Sequence, residues 1–134
     1  MDRVFLDANV LFSAAYLEHS GLTQLWVLDA ELITSAYALE EARRNLTTGD
    51  ARERLDRLYR SVTVVEEAGA ALELPAGVHL PDTDVPILLA AVSARATHLV
   101  TGDVTHFGPY YGRAIAGVTI LSPADYLKQR STSR

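Results

Sequence analysis

At 134 residues the chain has room for one domain, and a domain of that size buries about two-thirds of its unfolded surface. A composition of 49% apolar and 22% charged residues excludes wholesale disorder, and the absence of cysteine excludes disulfide frameworks, thiolate zinc sites and cysteine nucleophiles. The net charge of −5 argues against gripping nucleic acid by bulk positive charge, and suits an acid excess concentrated where divalent cations are held.

The chain opens Met1-Asp2-Arg3-Val4-Phe5, without the basic start, apolar stretch or small-residue cleavage site of a signal peptide, and no apolar run approaches the ~20 residues of a membrane span. A cytoplasmic location without membrane contact is therefore expected. Val4-Phe5-Leu6 reads as a buried strand of a parallel sheet. Asp7-Ala8-Asn9 opens a helix that ends before Ser20-Gly21, and a second helix follows with Leu22, Leu25, Trp26 and Leu28 inward. Leu32-Ile33-Thr34 is a short strand, and Ser35 can cap a helix reaching Leu46. Thr47-Thr48-Gly49 breaks it, and Asp50 to Arg60 is the next helix.

Ser61 to Val65 is β-branched and brief, hence a strand. The stretch from Glu66 to Leu80 suits no single element. Asp82 or Thr83 can cap a helix to about Ala96, with Pro86 in its first turn, where the missing amide is harmless. Leu99-Val100-Thr101 is a strand stopped by Gly102-Asp103, and a Gly- and aromatic-rich loop (107–112) leads to the strand Val118 to Leu121. Ser122-Pro123 starts a last helix, and residues 130–134 look like a frayed tail, leaving 1–129 as the domain. Strands alternating with helices give an α/β fold, a three-layer α/β/α sandwich around a mostly parallel sheet.

Ligands of such folds bind beyond the carboxyl ends of the strands. Asp7 follows the first strand and Asp103 the fourth; Asp82 and Asp84 start the helix that feeds the fourth, and Glu40 and Glu41 lie in the helix after the second. Singly these acids have ordinary explanations: Asp7 as a helix cap, Asp103 in a turn, Asp84 favouring a helix N-terminus, and Glu40 and Glu41 on a solvated face. Jointly, with no basic residue near to neutralise them, they call for a divalent cation with oxygen ligands.

The order of these segments resembles the PIN-domain ribonuclease family. Val4 to Leu11, with Asp7-Ala8-Asn9, is similar to the family's opening motif. Ser35 to Leu46 resembles the second motif, its acid matched by Glu41 rather than Glu40. Asp84 to Ala91 resembles the third, with Asp84 ahead of Asp82, and Leu99 to Asp103 the fourth. The resemblance spans the chain from end to end and implies a metal-dependent endoribonuclease with Asp7, Glu41, Asp84 and Asp103 as catalytic acids. It further implies Mg²⁺ or Mn²⁺ held by Asp7, Asp103 and Asp84, an RNA substrate, and, as in bacterial VapC-type toxins, an antitoxin partner; a homodimer is the other partnership considered. Many members carry a further acid where this chain has Thr105, His106 and Phe107, which bears on a second metal.

Asn9 and Thr101 are candidates for orienting a ligand or a phosphate oxygen, and His106, three residues past Asp103, for facing a phosphate. The four histidines show no zinc-binding spacing. Eleven arginines stand against a single lysine, Lys128. Arg43 and Arg44 lie near the acids and are candidates for RNA contact, whereas Arg54, Arg57 and Arg60 read as a solvated face with local ion pairs. A phosphoacceptor domain would need a lysine at a late strand end, and a haloacid-dehalogenase-type phosphatase a second carboxylate where Asn9 stands. A non-catalytic RNA- or protein-binding module on the same fold is the remaining alternative.

Overall fold

In a computed structural model, which describes residues 1–17, 19–69 and 71–132, Val4, Phe5 and Leu6 have no solvent exposure and end strand β1 (Asp2–Leu6). Its companions are β2 (Ala30–Ser35), β3 (Thr63–Val65), β4 (His98–Val100), β5 (Ala114–Ile115) and β6 (Val118–Leu121). The six form one sheet in the order β3-β2-β1-β4-β6-β5. All neighbours are parallel except β5, which runs against β6. Phe5 sits opposite both Ile33 and Leu99, and Val100 opposite Leu121. Unbroken apolar runs are what strands covered on both faces require.

Helices α1 (Ala8–Tyr16), α2 (Ala36–Asn45), α3 (Gly49–Tyr59), α4 (Val85–Ser93) and α5 (Pro123–Thr132) flank the sheet. Ser35 caps α2 by accepting from the Ala38 amide, and Thr48 caps α3 through Ala51. In α4 almost every side chain is apolar, and Ile87, Leu88, Ala90 and Ala91 are buried, as a helix without a polar face must be. From β1 the chain steps outward to β2 and β3, then returns to β4 on the other side of β1 and continues to β6. Right-handed crossovers in opposite directions send their helices to opposite faces, and the carboxyl ends of β1 and β4 flank the point where the direction reverses. Among the described residues no helix is long and apolar enough to cross a membrane.

Several local expectations are corrected. Leu22–Val27 is a 3-10 helix with only Leu25 fully buried. Gly21 turns at φ +81° just before it, β2 begins at Ala30, and six residues do not sustain an α-helix. Neither Asp82 nor Thr83 caps α4. Asp84 holds that position, in helical backbone and without a capping bond, so its carboxylate remains available. The 107–112 loop contains a 3-10 turn (Gly108–Tyr110), and β5, too short to register as a pattern, joins β6 through Ala116 and Gly117, both at positive φ as a two-residue hairpin turn demands. Arg130 and Ser131 are helical, because Arg130 bonds Asp2 and the Asp29 carbonyl. Ser133 and Arg134 lie outside the described residues.

Candidate functional site

Asp7 ends β1 and caps α1, so the local explanation and the site are one residue. Its Oδ1 accepts the Ala8 amide (2.7 Å), and its Oδ2 accepts the Thr101 hydroxyl (2.8 Å) and the Asn9 amide (3.1 Å). Only 4% of Asp7 is exposed. Burial, and after it the charges of Asp84 and Glu41, raise its pKa to about 6 against the pull of the Thr101 and Ala8 bonds. Asn9 also accepts the Gly102 amide through Oδ1 (2.7 Å), and Asp103 N donates to Thr101 Oγ1 (3.1 Å). The ends of β1 and β4 are thereby tied together by the side chains of Asp7, Asn9 and Thr101. A Cβ at Gly102 would lie 3.3 Å from Asn9 Oδ1, which explains glycine ahead of Asp103.

Asp7, Glu41, Asp84 and Asp103 line one cavity of about 420 Å³, with Asn9, Phe12 and Asn45. The four acids expected to converge do so. Glu40 and Asp82 are exposed and line no part of it. Asp84 Oδ2 is buried and has no hydrogen bond. Burial and the charge of Asp103 raise the Asp84 pKa, and His106 counters them.

The expectation that no basic residue stands near is corrected by His106. Its Nδ1 lies 2.8 Å from Asp103 Oδ2 and 3.2 Å from Asp84 Oδ2, and its amide donates to Asp103 Oδ1 (3.1 Å). The bond to Asp103 and the charges of both acids raise its pKa. Ligand atoms of Asp84, Asp103 and His106 lie within 4.8 Å of one another, close enough to share one cation. Asp7 is not in that group.

The arginines divide. Arg43 turns from the cavity onto α3, bonding Asp56 (2.8 Å) and lying over the Tyr59 ring. Arg44 is exposed near Tyr37, whose pKa burial and the charges of Glu41 and Asp84 raise and the Arg44 charge opposes. Arg54 is no solvated pair: its Nε donates to the Ala15 carbonyl (2.7 Å) and ties α3 to α1. Three neighbours of the acids escape sequence reasoning. Asn45 follows Glu41 by four residues, a spacing that puts both on one helix face and could have revealed it. Tyr37 donates to the Thr83 carbonyl (3.1 Å) and Tyr111 to the Thr101 carbonyl (2.7 Å), contacts no local pattern announces.

No protein-family model matches the sequence, and no curated protein does. Solved structures do match. A chain of VapBC2 from Rickettsia felis, crystallised bound to a DNA fragment from their promoter, shares the fold with a TM-score of 0.63 at 15% identity, over 90% of this chain and 98% of that one. A chain of VapBC-1 from nontypeable Haemophilus influenzae gives 0.57 at 14% identity, over 91% and 98%. The likeness is one of fold: a PIN-like α/β architecture with a mostly parallel six-stranded sheet.

Proposed function

We propose that this chain is a Mg²⁺- or Mn²⁺-dependent endoribonuclease acting at the cavity between the ends of β1 and β4, and the toxin of a toxin–antitoxin pair. The observation that carries the reading is Asp84 Oδ2, a buried carboxylate oxygen without a hydrogen bond on the wall of an acid-lined cavity. This oxygen lies 3.2 Å from the His106 imidazole but accepts no hydrogen bond, and a hard divalent cation would satisfy it. The residues present fit one: Asp84 and Asp103 would hold it with His106 beside them, and Asp7 and Glu41 line the same cavity. Bound there, such an ion supplies charge neutralisation for phosphoryl oxygens and acidifies a water.

The chain's own residues supply orientation and proton handling. Three hydrogen bonds hold the Asp7 carboxylate in one pose on the cavity wall, where it would orient a water or accept its proton. Asn9 and Thr101 act as positioning residues through Asp7, Gly102 and Asp103. His106, exposed at the rim, offers an N–H to a phosphate oxygen. The fold shared with VapBC complexes supports an antitoxin as partner; a homodimer and a cytoplasmic location belong to the same reading.

Incubating the purified chain with single-stranded RNA in Mn²⁺, Mg²⁺ or EDTA tests it. Cleavage that requires metal and vanishes in Asp7→Asn is expected. RNA or protein binding without cleavage in any metal would instead make the chain the non-catalytic module.

A further inference from the structure

A second cavity, of about 400 Å³, opens at the carboxyl end of β6, bounded by Tyr111, Gly112, Leu121, Asp125, Lys128 and Gln129. It is a different kind of place from the acid cavity. Tyr111 is half-buried and Leu121 buried, so two walls are apolar. Asp125, Lys128 and Gln129 stand exposed on the first turns of α5 and bring an acceptor, a cation and an amide to the rim. At Gly112 a Cβ would meet no atom within 4 Å, so the cavity is open on that side.

Thr101 joins this cavity to the acid site. Its amide donates to the Leu121 carbonyl (3.0 Å), its carbonyl accepts the Tyr111 hydroxyl (2.7 Å), and its hydroxyl donates to Asp7 Oδ2 (2.8 Å). β4 and β6 are adjacent parallel strands, so the two cavities open at the same carboxyl edge of the sheet. The charges of Asp103 and Asp7 reach the Tyr111 hydroxyl, consistent with that placement.

We infer that this second cavity is a nucleobase subsite for single-stranded RNA, in which a base neighbouring the phosphodiester at the acid site stacks on Tyr111 and presents its edge to Asp125 and Gln129. The identity of the ligand rests on the ribonuclease reading. An aromatic wall with amide and carboxylate groups at its rim is the chemistry by which unpaired bases are held. Charge points the same way. A polyanion is repelled by the carboxylates, and stacking, which needs no net charge, lets an acidic protein hold it. Lys128, the only lysine of the chain, stands at the rim where a flanking phosphate would lie.

The test uses an oligoribonucleotide carrying 2-aminopurine, titrated with the full chain bearing Asp103→Asn so that the strand stays intact. Quenching of the fluorescent base on binding is expected. Adding Tyr111→Leu should weaken binding 10- to 100-fold and abolish the quench, whereas Tyr111→Phe, which keeps the ring and removes the hydroxyl, should retain both. If Phe proves as damaging as Leu, the tyrosine acts only through its tether to Thr101 and the subsite is overturned. Lys128→Glu, on the exposed face of α5, carries the test should Tyr111→Leu fail to fold. It should weaken binding and reduce the salt-dependence slope by about 0.7, and an unchanged slope overturns the subsite. RNA cleavage by the unmodified chain with no quench anywhere on the oligonucleotide would refute the subsite and spare the ribonuclease. A Tyr111-dependent quench without cleavage in any metal would do the reverse.

Discussion

The two edges of the sheet handle carboxylates in opposite ways. At the amino edge, Asp2 Oδ2 accepts the Tyr126 hydroxyl (2.7 Å) and lies 3.1 Å from the Arg130 guanidinium and 3.9 Å from His98. Burial alone would raise its pKa, yet these partners hold it below the usual carboxylate value. Next to it Arg3 pairs with Glu31 and bonds the Ala94 carbonyl. At the carboxyl edge of the same central strands, burial and mutual repulsion raise Asp7 and Asp84, and the basic side chain in contact with the acids among the described residues is one exposed imidazole. Where the fold uses carboxylates as struts it surrounds them with donors and cations. Where it gathers several of them with little cationic charge, they are available to something that comes from outside.

The largest expected difference between the edges is in activity. Asp7→Asn or Asp103→Asn should lower metal-dependent RNA cleavage by about 100-fold or more, measured as initial rates on a labelled strand, while Asp2→Asn should leave cleavage intact and lower the melting temperature. Equal losses at both edges would mean that activity follows stability alone.

Next, the carboxyl edge can be converted into the other kind. Asn45→Lys would bring an ammonium into the acid cavity. In EDTA its melting temperature should rise by a few degrees, corresponding to about 1 kcal/mol, and the stabilisation that millimolar Mn²⁺ gives the unmodified protein should shrink, since a ligand bound only by the native state stabilises it by mass action. A variant that melts no higher in EDTA and keeps its full Mn²⁺ response would show that the cavity acids are not in want of a cation.

Of similar size but opposite sign, Tyr126→Phe removes a hydrogen bond to a charged acceptor at the compensated edge. It should destabilise the protein by about 1–2 kcal/mol, read from urea midpoints. The smallest effect concerns pH. Burial lowers the His98 pKa below 6.5; Asp2 opposes that shift and Arg130 assists it. The native state therefore binds the His98 proton less readily than the unfolded chain, so stability present above pH 6.5 is lost as the pH falls towards the folded pKa. His98→Gln removes that loss, so its stability relative to the unmodified protein should improve as the pH drops from 6.5 towards 5. A constant difference over that range would show that His98 titrates alike in both states.

Much of the site could be read directly. The run Val4-Phe5-Leu6 followed by Asp7, the Ser35 cap, Pro86 in a first turn and the Thr-Gly-Asp after β4 are local signals, and each element they predict is present. Glu41 and Asp84 line the cavity, whereas Glu40 and Asp82 are exposed outside it. Other assignments failed where the partner is remote in sequence. Arg43, a candidate for RNA contact, pairs with Asp56, and Arg54, expected on a solvated face, bonds the Ala15 carbonyl. β5 is too short, at two residues, for a periodicity to show, and the helix expected from Leu22 is present as the 3-10 helix Leu22–Val27, too short for an α-helix.

Residue order by itself determined that this chain alternates buried strands with helices and that acids follow β1 and β4, because hydrophobic periodicity, caps and glycine turns act over a few residues. Only the tertiary structure decided that β1 and β4 are neighbours at the reversal point, that Asn9 and Thr101 clamp Asp7, that His106 stands between Asp84 and Asp103, and that Tyr111 joins a second cavity to the first. It also decided which edge of the sheet is neutralised, since Arg130 reaches Asp2 across 128 positions of chain. Such pairings depend on where whole elements pack, and charge compensation falls off within about a Debye length in space, with no regard to distance along the sequence.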